Sequence, residues 1–236
     1  MKYLKKGNKI VAALLAVVCM LGVLIGVNIQ TVQAKETEDL GYYYVAKGQP
    51  FIFRDSEAKS LKMVSNKGNP CKVSKNKVTV TCKKSGEITY KINGKYKTFM
   101  LYVGGNYPDS KVNKKEYDLP YKMEYNKKKY GNFVDIASHA KDTGLECYMS
   151  DKAELKKYKK FNRGITYGST LSDVQEKYPS WEDVGTYGDD MCCWTSVYYD
   201  KKSGWVFNKG FVLDSKDKVK AIVYSAYDAK QNIMEL

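Results

Sequence analysis

A single histidine, His139, is all the imidazole in this 236-residue chain, and only five prolines and three tryptophans are spread along it. One histidine excludes multi-histidine metal centres, and the cysteines fall at none of the spacings a zinc site needs. Glycine is not scarce, yet it never gathers into a phosphate-cradling loop or flanks a serine in a nucleophile elbow. The turn Asp214, Ser215, Asp217 lacks the acid count and the distal glutamate of a dedicated calcium loop. His139 could serve a thiol as base, but Asp142 and Gly144 beside it read as a loop and no nucleophile signature surrounds any cysteine. These absences leave no catalytic, cofactor-binding or metal-ligating residue to assign. The expectation is a non-enzyme without a cofactor.

What is present begins with an export signal. Met1 to Lys9 carries four lysines and no acid. Residues 10–29 are apolar apart from Asn28, and Val32-Gln33-Ala34 offers a small-residue cleavage site before Lys35. Residues 1–34 therefore read as a signal peptide, or as an uncleaved anchor, since the apolar run is long enough to span a bilayer. Either way the basic end stays inside and the rest of the chain lies on the extracellular side of the envelope, secreted or tethered. Cys19 is not a lipid-attachment site, because Val18 stands where a small residue is needed and apolar residues follow.

The chain has 40 Lys+Arg against 26 Asp+Glu, a net charge of +14. Without the four leader lysines, 36 basic residues face 26 acidic ones, which leaves +10. Nearly all of it is lysine, the usual residue of a solvated face. The same charge would attract anionic cell-wall polymers. No nucleic-acid-binding motif accompanies it, so nucleic acid is not an expected partner. A membrane enters only through a retained N-terminal helix.

From Tyr42 to Val103 the pattern is strand and turn throughout. In Cys71 to Cys82, a two-residue loop at Asn76-Lys77 pairs Lys75 with Val78 and Val73 with Val80, and so sets Cys71 opposite Cys82 within disulfide reach. In the next hairpin, a three-residue loop through Lys95 opposes Ile92 to Tyr96, Tyr90 to Thr98 and Ile88 to Met100. Beyond the leader the cysteines number five, Cys71, Cys82, Cys147, Cys192 and Cys193. Outside the cell such thiols pair, and an odd count leaves one over. Cys192 and Cys193 are adjacent, so Cys147 is expected to bond to one of them. The strand phase of Val197 and Tyr199 carries back through Thr195 to Cys193 and puts Cys192 on the other face.

Several stretches here carry a family resemblance. Val45-Ala46-Lys47-Gly48-Gln49, Ser65-Asn66, Asn69-Pro70, Val73 to Val78 and Lys83-Lys84-Ser85-Gly86-Glu87-Ile88-Thr89-Tyr90 resemble the bacterial Ig-like domains of group 2, over residues 40–104. Met63 and Lys77 depart from that pattern, standing in place of a tryptophan and a glycine. The resemblance implies a β-sandwich used as a spacer or adhesive module.

Gly104 to Ser110 is a run of turn formers, and residues 105–112 read as a linker to a second domain over 113–236. There, Tyr117 to Tyr125, Phe133-Val134-Asp135-Ile136-Ala137 and Leu145 to Met149 read as strands, and Asp151 starts a single helical turn. Thr170 and Asp173 form a capping box, and Leu171, Val174 and Tyr178 make one apolar stripe on a helix that Pro179 stops. Strands follow at Ser196 to Asp200, at Trp205 to Leu213 and at Val219 to Tyr224; Lys209 is a misfit among the inward positions, at an expected bend by Gly210. Gly164-Ile165, Gly168-Ser169-Thr170, Val174, Tyr178-Pro179, Phe211 to Asp214 and Lys218 to Ile222 resemble the repeat of β-lactamase-inhibitor-protein-like domains and of related small outer-membrane-assembly lipoproteins, over residues 160–226. That resemblance implies an α+β fold and protein binding through the sheet face or loops.

Tyrosine supplies 21 residues, many at alternate strand positions. Tyr42-Tyr43-Tyr44, Tyr187, Trp194, Tyr198 and Tyr199 could line a protein- or sugar-binding surface, or simply fill half-buried strand positions. The expected fold is an all-β Ig-like sandwich followed by an α+β domain with a short helix on an antiparallel sheet. The expected role is non-catalytic binding of an extracellular protein, with binding of an anionic cell-wall polymer as the alternative.

Overall fold

Apolar residues at every second position make residues 37–103 into strands: β1 (Thr37–Val45), β2 (Pro50–Arg54), β3 (Leu61–Ser65), β4 (Cys71–Ser74), β5 (Lys77–Thr81), β6 (Gly86–Ile92) and β7 (Lys95–Val103). The computed structural model describes residues 37–103, 114–118, 122–141, 144–178 and 184–236; the leader, the expected linker 105–112 and Pro179 lie outside them. One sheet runs β1-β7-β6-β3 and a second contains β2-β5-β4. Their inner faces meet in an aromatic core in which Phe53 lies 5.4 Å from Phe99 and 5.1 Å from Tyr90.

Both hairpin registers differ from the sequence expectation. Ser74 pairs with Lys77 and Cys71 with Val80, so the loop is Lys75-Asn76, and Lys75 takes the left-handed conformation at φ 52°. Cys82 becomes a diagonal neighbour of Cys71, about 7–8 Å away, past the reach of a relaxed disulfide. In the second hairpin Ile92 pairs with Lys95 across a two-residue Asn93-Gly94 turn with φ 47° and 90°. That turn matches the strand twist, and it buries Phe99 and Leu101 where the expected register had placed Thr98 and Met100 inward.

The second half opens with a hairpin, β8 (Met123–Tyr125) and β9 (Lys128–Tyr130), and a helix, α1 (Phe133–His139). Phe133 to Ala137 was expected to be a strand. Instead the Asn132 side chain caps the segment by accepting from Asp135 N–H, and Phe133, Val134, Ile136 and Ala137 bury one helical face. Strand β10 (Gly144–Met149) follows, then α2 (Lys152–Lys157), capped by Asp151 and longer than the single turn expected. Thr170 and Asp173 close the expected capping box on α3 (Leu171–Lys177). Strands β11 (Val184–Tyr187), β12 (Asp190–Asp200), β13 (Trp205–Leu213) and β14 (Val219–Asp228) complete an antiparallel sheet in the order β10-β14-β13-β12-β11. The fold is thus rich in β-sheet, with several sheets and few helices. Val174 and Tyr178 are fully buried in the core formed with Phe207, Phe211 and Leu213.

The chain then returns to its beginning. A last strand, β15 (Ile233–Glu235), pairs in parallel with β2 and closes the edge of the first sandwich. Met234 and Leu236 pack on that core, Leu236 N–H donates to Arg54 C=O at 2.9 Å, and Glu235 lies 3.5 Å from Arg54.

Val174→Asp should cost on the order of 3–5 kcal/mol, because it buries a charge with no partner, whereas Gln175→Asp on the exposed flank should be nearly silent. Since β15 hangs from the second half, Val174→Asp should also lower the melting temperature of the first sandwich in calorimetry. An unshifted first transition would mean that β15 is not needed there.

Candidate functional site

Strand β12 decides which aromatic residues share a face. A bulge between Trp194 and Ser196 shifts its phase, so Cys192, Trp194, Val197 and Tyr199 oppose Val212, Gly210, Asn208 and Val206 on the outer face of the sheet. Cys193 and Tyr198 point the other way, opposite Phe211 and Phe207. The continuous phase expected from Val197 back to Cys193 is therefore corrected. Of the four candidate residues, Tyr187 and Trp194 meet over a small buried cluster of Cys192, Val212, Ala221 and Val223. Tyr199 lies further along the same face, and Tyr198, half-buried, packs against the core beside Tyr117 (6.0 Å) and Phe207 (6.1 Å). Gly210 marks no bend. A Cβ there would stand 2.5 Å from Cys192 Sγ and 3.0 Å from Trp194, so only glycine lets these side chains cross the strand.

The outer face is drawn together from its two edges. Tyr187 on β11 stacks on Tyr148 of β10, with ring centres 5.4 Å apart and 12° between the planes. Its hydroxyl donates to Glu146, and this bond, as the largest cause, pushes the Tyr187 phenol up to about 12. Lys220 and Asp190 pair at 2.6 Å. Tyr148 remains 44 % exposed. Tyr148 and Glu146 escaped the sequence reading, although their alternation on β10 was its one available signal.

No disulfide joins any of the five described cysteines. Cys147 lines the inner face on β10 and Cys193 the inner face on β12, with β14 and β13 between them, while Cys192 lies on the outer face. Three strand spacings, about 14 Å, separate the expected partners, so Cys147 bonds to neither in this fold. Burial pushes Cys82 and Cys192 up to about 12 and raises Cys193 still more.

Lys209, the misfit of the sequence, is fully buried. Its ammonium donates to the Tyr178 hydroxyl at 2.9 Å, to Glu116 Oε2 at 3.3 Å and to the Phe161 carbonyl at 3.4 Å. Glu116 Oε1 takes two bonds from Arg163, Nη2 at 2.8 Å and Nε at 3.1 Å. Arg163 is one of only two arginines, and its planar fork makes a bidentate grip that lysine cannot. It also donates to the Lys177 carbonyl at the end of α3 and stacks 4.3 Å from the Tyr178 ring. One carboxylate thus balances two cations inside an aromatic shell.

His139 ends α1 beside a polar surface cleft of about 470 Å³ lined with Asp135, Ser138, Lys114, Lys202 and Asp200. Ser138 Oγ (3.1 Å) and the Asp135 carboxylate (3.5 Å) both approach the same ring nitrogen, Nδ1. A hydrolytic relay needs them on opposite nitrogens. The trio is a helix-end contact. Comparison with protein-family models, with curated proteins and with solved structures finds no match for this chain.

Glu116→Gln should cost about 3–5 kcal/mol in urea unfolding, since it leaves Lys209 buried without its counter-charge, and Lys209→Met should cost clearly less. A reversed order would mean that the cluster does not organise this core. For Tyr187, a phenol held above its unfolded value adds stability at pH below about 10 that is lost as pH rises toward 12. Tyr187→Phe should therefore flatten the alkaline decline of the melting temperature between those values; an unchanged slope would deny the bond to Glu146.

Proposed function

We propose that this is an extracellular, non-catalytic binding protein that recognises a partner protein through the outer face of its five-stranded sheet. The observation that carries this reading is the Tyr148–Tyr187 stack. Two parallel rings, pinned by Glu146 and flanked by the Lys220–Asp190 pair, lose little freedom when a partner covers them. The leader of four lysines and an apolar run supports export, cleaved or anchored. In support of an Ig-like spacer in the first half are its two facing sheets, with β1 running parallel to β7. In support of an inhibitor-like second half is α3, capped by its box and packed on an antiparallel meander. The alternative, an anionic wall polymer, draws on Lys152, Lys156, Lys157, Lys159 and Lys160, all exposed on α2 and the turn after it.

The two readings separate by salt and by one mutation. Immobilised protein should retain its partner from a cell-surface extract at about 1 M salt, where screening confines charge attraction to about 3 Å, and Tyr148→Ala should release it. Retention lost to salt and indifferent to Tyr148→Ala would assign binding to the lysines instead.

A further inference from the structure

A second aromatic face, far from the first along the chain, has a different chemistry. On the outer side of β1 and β7, Tyr44 stacks on Tyr102 at 5.2 Å, while Tyr42 stands at 70° and 63° to them, 5.6 Å and 6.1 Å away. Two parallel rings and one upright ring make an open corner, and Tyr42 is 51 % exposed. Tyr43, between them in sequence, turns inward onto Phe51 and Phe99. Beside the corner is a depression of about 200 Å³ lined by Tyr42, Tyr102, Met100, Thr98 and two carboxylates, Asp39 and Glu87.

The placement of Asp39 requires a specific device. Residues three apart on a regular strand point to opposite faces. A bulge between Asp39 and Tyr42 pairs them with Thr98 and Met100, which share a face, so carboxylate and ring are brought to the same side. Gly41 at φ 81° makes the bulge, and its N–H donates to Asp39 Oδ1 at 2.9 Å, which fixes the carboxylate. On the far side Thr89 Oγ1 donates to Glu87 Oε1 at 3.3 Å. Thr98 gives its hydroxyl proton to Ile88 C=O and so presents a lone pair outward.

We propose that this corner binds a protonated primary amine, as carried by a lysine side chain of a partner protein. Ring faces attract a cation, and the two carboxylates supply the opposite charge. Their oxygens and that of Thr98 are acceptors, which an N–H donor uses and a quaternary ammonium cannot. The chain's net charge of +14 repels a cation at long range, so these short contacts carry the recognition.

The test is titration of the purified protein with Nα-acetyl-lysine methylamide, followed by the ring resonances of Tyr42 and Tyr102. A saturable shift is expected, absent with the Nε-acetylated probe and weakened roughly two- to fivefold by either Tyr42→Leu or Glu87→Gln. Both changes lie on the surface, and unchanged circular dichroism and melting certify the fold. Equal binding of the acetylated probe would overturn the proposal, because contact would then be apolar alone. So would tetramethylammonium binding more tightly than the lysine probe, or no saturable shift with any of the three.

Discussion

The architecture of the second half depends on one carboxylate held between two cations. Glu116 reaches Lys209 on the central strand β13 and Arg163 at the turn before α3, and Arg163 in turn holds the end of that helix. Burying an ammonium without such partners would cost several kcal/mol, a large share of the net stability of a small domain. The chain therefore has to bring a 3₁₀ turn at Lys114–Glu116, a second one at Lys159–Asn162, and β13 to one point. Nonspecific collapse of the same apolar residues would leave Lys209 stranded, so the cluster selects one packing.

The described helices and turns pack on the inner side of the five-stranded sheet, and among the described residues the outer side is covered by side chains. Tyr187 on the edge strand β11 and Trp194 on its neighbour β12 lie over Cys192, Val212, Ala221 and Val223. The first sandwich behaves in the opposite way. Its core takes Tyr43, Phe51 and Phe99, while Tyr42, Tyr44 and Tyr102 stay outside. The same residue type thus fills a core, staples a sheet and makes a surface, according to strand phase.

Strand phase also decides how much was legible in the sequence. The capped helix α3 and strands β13 and β14 follow from local periodicity and turn residues, and appear where those signals put them. The first hairpin register went astray because its two-residue loop sits one position earlier, with Lys75 in a left-handed turn that has no sequence signature; the second did because its loop is one residue shorter, and either change moves every pair. The five-residue segment from Phe133 to Ala137, apolar but for Asp135, is too short to tell helix from strand without weighing the Asn132 cap. The bulge in β12 split the aromatic candidates, since Thr195 gives no local sign of one. Lys209 was visible as a misfit, but its partner Glu116 lies 93 residues earlier, and no local pattern spans that distance.

The return of β15 to β2 has a consequence for how the protein is made. A chain emerges N-terminus first, whether from a ribosome or through a translocation pore. The sandwich of β1 to β7 can collapse early, yet one edge of it stays bare until Ile233 to Leu236 arrive. During that interval β2 presents unpaired backbone groups beside Phe51 and Phe53, a surface on which nascent neighbours can add. A chain that lacks β15 would keep this flank open to edge-to-edge pairing. Strand β15 is the segment that seals this edge.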